Sequence, residues 1–148
     1  MEKIHYSGIL KKSISISAEY EKTWSFLSKI TELGWLSGFK SSKFLSNKKR
    51  GVGTIRQISF MDGTNVKEII VGWKPKKYFS YIAVSGLPLR GYHATISITK
   101  KNDLTLRVEW QSFFSSKLMS KNEYTDFCKL LSDFYAESLK NLKIILEK

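Results

Sequence analysis

Apolar positions recur along this chain in two periods, and the changes of period divide it into elements. Residues 9–16 alternate, with Leu10, Ile14 and Ile16 on one side and Ser13 and Ser15 on the other, as in a half-buried strand. Ser17 is placed to cap a helix, with Glu19 and Glu21 in a first turn that favours carboxylates. Tyr20, Trp24 and Leu27 share one helical face, with Phe26 and Ile30 beside them. A second short helix or turn is expected around Thr31–Leu36, ahead of Gly38.

Strand patterning then predicts β-strands near 39–46, 51–60, 65–73, 77–84, 91–99 and 104–113. Asn47–Gly51, Asp62-Gly63, Lys74–Lys77, Ser85–Gly91 and Lys100–Asp103 punctuate them. These connections are too short for parallel crossovers, so an antiparallel meander follows. The last two strands alternate most cleanly. Tyr92, Ala94, Ile96 and Ile98 oppose His93, Thr95, Ser97 and Thr99; Leu104, Leu106, Val108 and Trp110 oppose Thr105, Arg107, Glu109 and Gln111. One face is apolar and the other wet, as in a sheet covered on one side.

The cover is the C-terminal segment. Ser120 and Glu123 have capping-box spacing and open a helix running to about Lys148. Its stripe is Tyr124, Phe127, Leu131, Phe134, Leu142 and Ile145, with Ser138 in register. At 1.5 Å per residue such a helix is ~40 Å long, enough to span a twisted sheet. The fold class is α+β: about seven antiparallel strands wrapped around a long C-terminal helix, with two short helices after the first strand. Residues 1–148 form one domain in this reading.

The hairpin at 51–73 offers two registers. A two-residue Asp62-Gly63 loop sets Arg56 opposite Ile69. A three-residue loop, Met61-Asp62-Gly63 with a left-handed glycine, sets Arg56 opposite Glu68 and Ile58 opposite Val66. The second suits a type I turn and is preferred. It puts Thr54, Arg56, Ile58, Phe60, Val66, Glu68 and Ile70 on one face. Arg56 and Glu68 then form either a solvent-side ion pair of little worth or a pair inside a cavity, where each charge needs the other.

Composition narrows the chemistry. The formal net charge is +12, from 25 Lys+Arg against 13 Asp+Glu. The only arginines are Arg50, Arg56, Arg90 and Arg107, so the excess is lysine, whereas base-edge reading favours the arginine fork. No specific nucleic-acid partner is expected. Alternate connections of a meander share a sheet end, which gathers Lys48, Lys49, Arg50, Lys74, Lys76, Lys77, Lys100 and Lys101 at one of them. That end is either a weak contact for anionic surfaces or a set of solubilising turn lysines. Cys128 is the sole cysteine, which excludes an intrachain disulfide and a cysteine zinc cluster. No apolar run reaches the ~18 residues of a membrane span. A cytoplasmic location is the expected default. Neither His5 nor His93 has metal-ligand spacing, and Gly51-Val52-Gly53 lacks the helix of a phosphate cradle. No cofactor is expected.

The order of elements resembles the helix-grip fold of the START/SRPBCC superfamily, in particular its polyketide cyclase/dehydrase and lipid-transport branch. The resemblance is carried by Ser15-x-Ser17-Ala18-x5-Trp24, the Trp35 region, Gly53-Thr54-x-Arg56-x-x-x-Phe60-x-Asp62-Gly63 and Val66-x-Glu68. It continues through Phe79-Ser80-Tyr81, Gly86-Leu87-Pro88-Leu89-x-x-Tyr92-x-Ala94-Thr95 and Val108-x-Trp110-x-Ser112-x-Phe114. It covers nearly the whole chain. Plant lachrymatory factor synthases and abscisic acid receptors are similar relatives.

The resemblance implies a cavity between the sheet and the last helix that holds a hydrophobic small molecule or lipid. Arg56 and Glu68 would point into it, and in synthase-like relatives an arginine and a glutamate at similar places are catalytic. By the same matching Tyr81, Tyr92, Trp110, Leu130 and Phe134 line it. The loops at Asp62, Gly63, Leu87 and Pro88 form its mouth. Lys40 lies near a ligand-binding lysine of the receptors, or is simply solvated. Ser85-Gly86-Leu87-Pro88 matches the receptor gate but lies one hairpin later, so hormone reception does not transfer. Three functions remain: carriage or sensing of a hydrophobic ligand, cyclase-, dehydratase- or isomerase-type catalysis through Glu68 and Arg56, or a basic interaction module.

Overall fold

Strand pairing dictates the architecture. The computed structural model describes residues 2–148. In chain order the elements are β1 (Ser7–Ile16), α1 (Tyr20–Leu27), β2 (Phe39–Phe44), β3 (Ile55–Phe60), β4 (Asn65–Lys74), β5 (Tyr78–Ser85), β6 (Leu89–Lys100), β7 (Leu106–Ser116) and α2 (Lys121–Leu146). Seven antiparallel strands form one sheet in the order β1-β7-β6-β5-β4-β3-β2. Only β1 departs from the meander, by pairing with β7 from Ser7–Ser115 to Ile16–Leu106.

α2 covers the apolar face. Its capping box forms in full: Ser120 Oγ accepts from Glu123 N, and Glu123 Oε1 accepts from Ser120 N at 2.9 Å. At the other end Lys143 donates to the Ser15 carbonyl, and Glu147 Oε2 accepts from Ser17 N. Both ends are thereby fixed. Leu131, Tyr135, Ser138, Leu139 and Leu142 face inward, and each large apolar member contributes roughly 1.5–3 kcal/mol by burial. The small polar Ser138 has a reason to be there, because its Oγ accepts from Ser37 N at 2.9 Å.

Several local expectations are corrected. Ser17 does not cap α1; Glu19 holds that position without a side-chain bond, and the Ser17 amide is taken by Glu147. Thr31–Leu36 is a run of turns, so one short helix follows β1 rather than two. Leu33, Trp35 and Leu36 must all be buried, which a single helical turn cannot arrange. The carbonyl of Trp35 is instead satisfied by Asn141 of α2. β3 begins only at Ile55, because Gly51 and Gly53 adopt φ of +81° and +96°. Leu104 is 77% exposed, since the Asn102 side chain accepts from its amide and holds it in a turn. Ile145 is exposed and Tyr135 takes an inward place instead, as the 3.6-residue period carries the stripe around the helix.

Two turns shape one end of the sheet. The β3–β4 turn uses the three-residue register: Gly63 N donates to the Phe60 carbonyl with φ +91° at Gly63, and Arg56 pairs with Glu68. In the β5–β6 turn, β5 stays with β4 as far as Ser85, whereas β6 pairs with β5 only as far as His93. The sheet therefore parts between β5 and β6 near this turn. Gly86 sits there at φ +100°, pressed against the Asn65 carbonyl and the Val66 backbone of the neighbouring hairpin. A side chain there meets backbone as well as an unfavourable φ. Gly86→Ala should destabilise by roughly 1–3 kcal/mol in urea unfolding, whereas Gly91→Ala, with open space around it, should change stability little.

Candidate functional site

The sheet and α2 do not close completely on each other. Between them lies a cavity of about 760 Å³. Its walls come from the inward faces of β3 to β7, the Leu33–Gly38 turns and one side of α2. Alternation places Ile58, Val66, Phe79 and Ile96 in the wall, and the Phe127–Phe134 side of the helix closes it.

Charge enters this apolar space at one place. Arg56 is 3% exposed and Glu68 is 6% exposed. Arg56 Nη2 lies 2.8 Å from Glu68 Oε1, and Nε donates to the same oxygen at 3.0 Å. Nη1 donates to the Ile30 carbonyl at 2.6 Å, which ties the pair to the segment after α1. The guanidinium also lies over the rings of Tyr81, at 5.0 Å, and Phe79, at 5.8 Å. Both arginine contacts fall on Oε1. Oε2 makes no hydrogen bond among the described residues.

Aromatic hydroxyls surround the pair. Tyr81 OH accepts from Trp110 Nε1 at 3.0 Å. Trp110 stacks on Tyr135 with ring centroids 3.9 Å apart, and the hydroxyls of Tyr135 and Tyr92 are hydrogen-bonded. Burial pushes the Tyr81 and Tyr92 hydroxyls well above their ordinary value, and the neighbouring Tyr135 and Glu68 raise both further. They remain neutral donors and acceptors. Burial also raises the Glu68 carboxyl, and the opposing attraction of Arg56 does not fully offset it. A carboxyl that holds its proton to higher pH, beside neutral hydroxyls and a cation, can orient a polar group or pass a proton.

The sequence-derived residues fall into three groups. Arg56, Glu68, Tyr81, Tyr92, Trp110 and Phe134 line the cavity together, and so do Asp62, Leu87 and Pro88 from the two turns. Leu130 also lines it but is 69% exposed, so it belongs to the rim. Gly63 and Lys40 do not line it. Gly63 sets the turn. Lys40 is exposed on β2, because the bulge between Phe39 and Ser41 keeps it outside.

Sequence reasoning did not single out Leu33, Trp35, Leu36, Tyr135 or Glu137 as site residues. The i, i+4, i+7, i+8 spacing of Leu131, Tyr135, Ser138 and Leu139 carried the signal for Tyr135. A larger recess, about 840 Å³, opens where β5 and β6 part. It shares Gly86, Leu87 and Tyr92 with the cavity but touches neither Arg56 nor Glu68, so the inner cavity is the candidate site.

The basic loops lie at the opposite end, and part of their charge is locally engaged. Lys76 pairs with Glu21 and Lys100 with Asp103. Lys101 donates to Ser15 Oγ, Arg50 lies over Trp73 and Lys49 over Phe44. Among the described residues, no group of three His, Cys, Asp or Glu is placed to hold a metal ion, and no helix is long and apolar enough to cross a membrane.

Two outcomes follow for the pair. Replacing Glu68 by Leu strands a buried guanidinium and should cost about 3–5 kcal/mol in denaturant unfolding, most of it recovered by also replacing Arg56 with Met. The raised Glu68 carboxyl means the folded protein binds the proton more tightly than the unfolded chain. Its contribution to stability is full below the unfolded value of ~4.3 and is lost as pH rises through the folded value. The stability of the wild type relative to Glu68→Gln should fall across that window; a rise would mean that Arg56 outweighs burial.

The chain matches one known family and shares its fold with solved structures. The family model described as polyketide cyclase / dehydrase and lipid transport matches residues 8–147. No curated protein matches the chain. Among solved structures, the chain is similar to XoxI from Bacillus cereus, with 24% identity, TM-score 0.79, and 94% of this chain and 95% of that chain covered. It is also similar to an uncharacterised protein of Bacillus thuringiensis, with 24% identity, TM-score 0.80, and 95% and 100% covered. Norcoclaurine synthase of Thalictrum flavum, in complex with dopamine and hydroxybenzaldehyde, shares the fold at 15% identity and TM-score 0.71, with 95% and 87% covered. The match over nearly its whole length shows that the chain belongs to the polyketide cyclase/dehydrase and lipid transport family.

Proposed function

We propose that this protein binds a hydrophobic small molecule or lipid in the cavity between the sheet and α2, as a carrier or sensor. The observation that supports the reading most is the cavity itself: about 760 Å³ of largely apolar space with a small polar group at Arg56, Glu68, Tyr81 and Tyr92. That combination is how ligand pockets divide their work. Affinity comes from burying ligand carbon at ~25 cal/mol per Å², and the polar group orients the ligand. The loops at Asp62 and at Leu87–Pro88 form the entrance.

A second reading, catalysis of cyclase, dehydratase or isomerase type, is favoured by the raised Glu68 carboxyl beside Arg56. Glu68 would move the proton and Arg56 would stabilise developing negative charge. The fold shared with norcoclaurine synthase agrees with a chamber able to host such chemistry. A Glu68→Gln variant that keeps ligand but loses turnover would select this reading over carriage.

Uptake of a neutral lipophilic dye, with mass spectrometry of compounds that copurify, tests binding. Micromolar uptake is expected, reduced at least tenfold by Val66→Phe, which fills the cavity from a wall position without adding charge. No uptake by the wild-type protein would reject the cavity as a binding site.

A further inference from the structure

The lining of the cavity runs against the charge of the protein. The chain carries a net +12, yet among the described residues Arg56 is the only lysine, arginine or histidine in the lining. Four carboxylates accompany it: Glu68 inside, and Asp62, Asp133 and Glu137 towards solvent. The single cation is already spent, since Arg56 is held by Glu68 Oε1 and the Ile30 carbonyl. Asp133 is neutralised from outside by Lys129 at 2.8 Å. Asp62 and Glu137 have no ion-pair partner among the described residues. Independently of the rim, Oε2 of the nine-tenths-buried Glu68 has no hydrogen-bond partner among the described residues.

We propose that the cavity takes an apolar molecule whose polar end is a hydrogen-bond donor, a hydroxyl or an amine, and discriminates against carboxylates and other anionic amphiphiles. This rests on the binding reading above and names its ligand class. A donor brought to Glu68 Oε2 completes that carboxylate. A ligand carboxylate there meets an acceptor, with no unpaired cation beside it. The rim carboxylates are exposed and screened beyond ~8 Å at physiological salt, so their effect is the smaller one. Repulsion at Glu68 acts in a low-dielectric space, where it is several-fold stronger than in water. The surface lysines, which attract anions in general, lie outside the lining and do not reverse the preference within it.

The test displaces N-phenyl-1-naphthylamine from the full chain at pH 8 and physiological salt, using 1-decanol, decylamine and decanoate. Decanol and decylamine should each displace the dye at concentrations at least tenfold lower than decanoate. Glu68→Gln should shrink that gap to below threefold. The exposed Glu137→Lys, which leaves the core untouched, should lower the decanoate concentration needed. Dye uptake with decanoate displacing as well as decanol would overturn the donor preference while leaving the cavity reading intact. Failure of the wild-type protein to take up dye would overturn both.

Discussion

A buried ion pair that needs an enclosure of its own governs the interior of this protein. Arg56 and Glu68 sit on adjacent strands where the pattern of the sheet calls for apolar side chains. Removing two charges from water is costly, and the mutual contact offsets that cost only if further polar groups help. The Ile30 carbonyl and the faces of Tyr81 and Phe79 supply that help. The arrangement constrains the surroundings. The β3–β4 turn has the three residues that set Arg56 opposite Glu68, the segment after α1 brings the Ile30 carbonyl inward, and both members of the pair line the space beneath α2.

The two ends of the sheet divide the remaining work. One end carries the lysine-rich connections, pinned to α1 by Tyr20 donating to the Ile98 carbonyl and by Lys76 pairing with Glu21. The other end carries the β3–β4 and β5–β6 turns, where Gly86 permits contact between two backbones and the sheet parts. The lysine-rich connections at the first end contribute nothing to the cavity lining, whose exposed charged members are Asp62, Asp133 and Glu137. The net charge of the chain thus describes its outer surface and not the lining of its cavity.

Much of this was legible in the sequence because it rests on local rules. Strand alternation fixed the inward faces of β6 and β7, the Ser120/Glu123 spacing marked the start of α2, and the Met-Asp-Gly turn set the register that pairs Arg56 with Glu68. What was not legible depends on packing between elements. Trp35 and its neighbours form turns because α2 satisfies their backbone, which no local pattern shows. Tyr135 was passed over in favour of its neighbour Phe134, and only its spacing with Leu131, Ser138 and Leu139 marks it as inward-facing. The rim carboxylates Asp133 and Glu137 look like ordinary solvated helix residues until the helix is placed over the opening.

The most direct measurement is the set of nuclear Overhauser contacts between 1-decanol and the isotopically labelled protein. Contacts are expected from the alkyl chain to Phe134, Trp110 and Ile58, with the hydroxyl end nearest Tyr81 and Glu68. Contacts confined to the outer face of the sheet, or an alkyl chain buried against Glu68 with its hydroxyl in solvent, would contradict this placement.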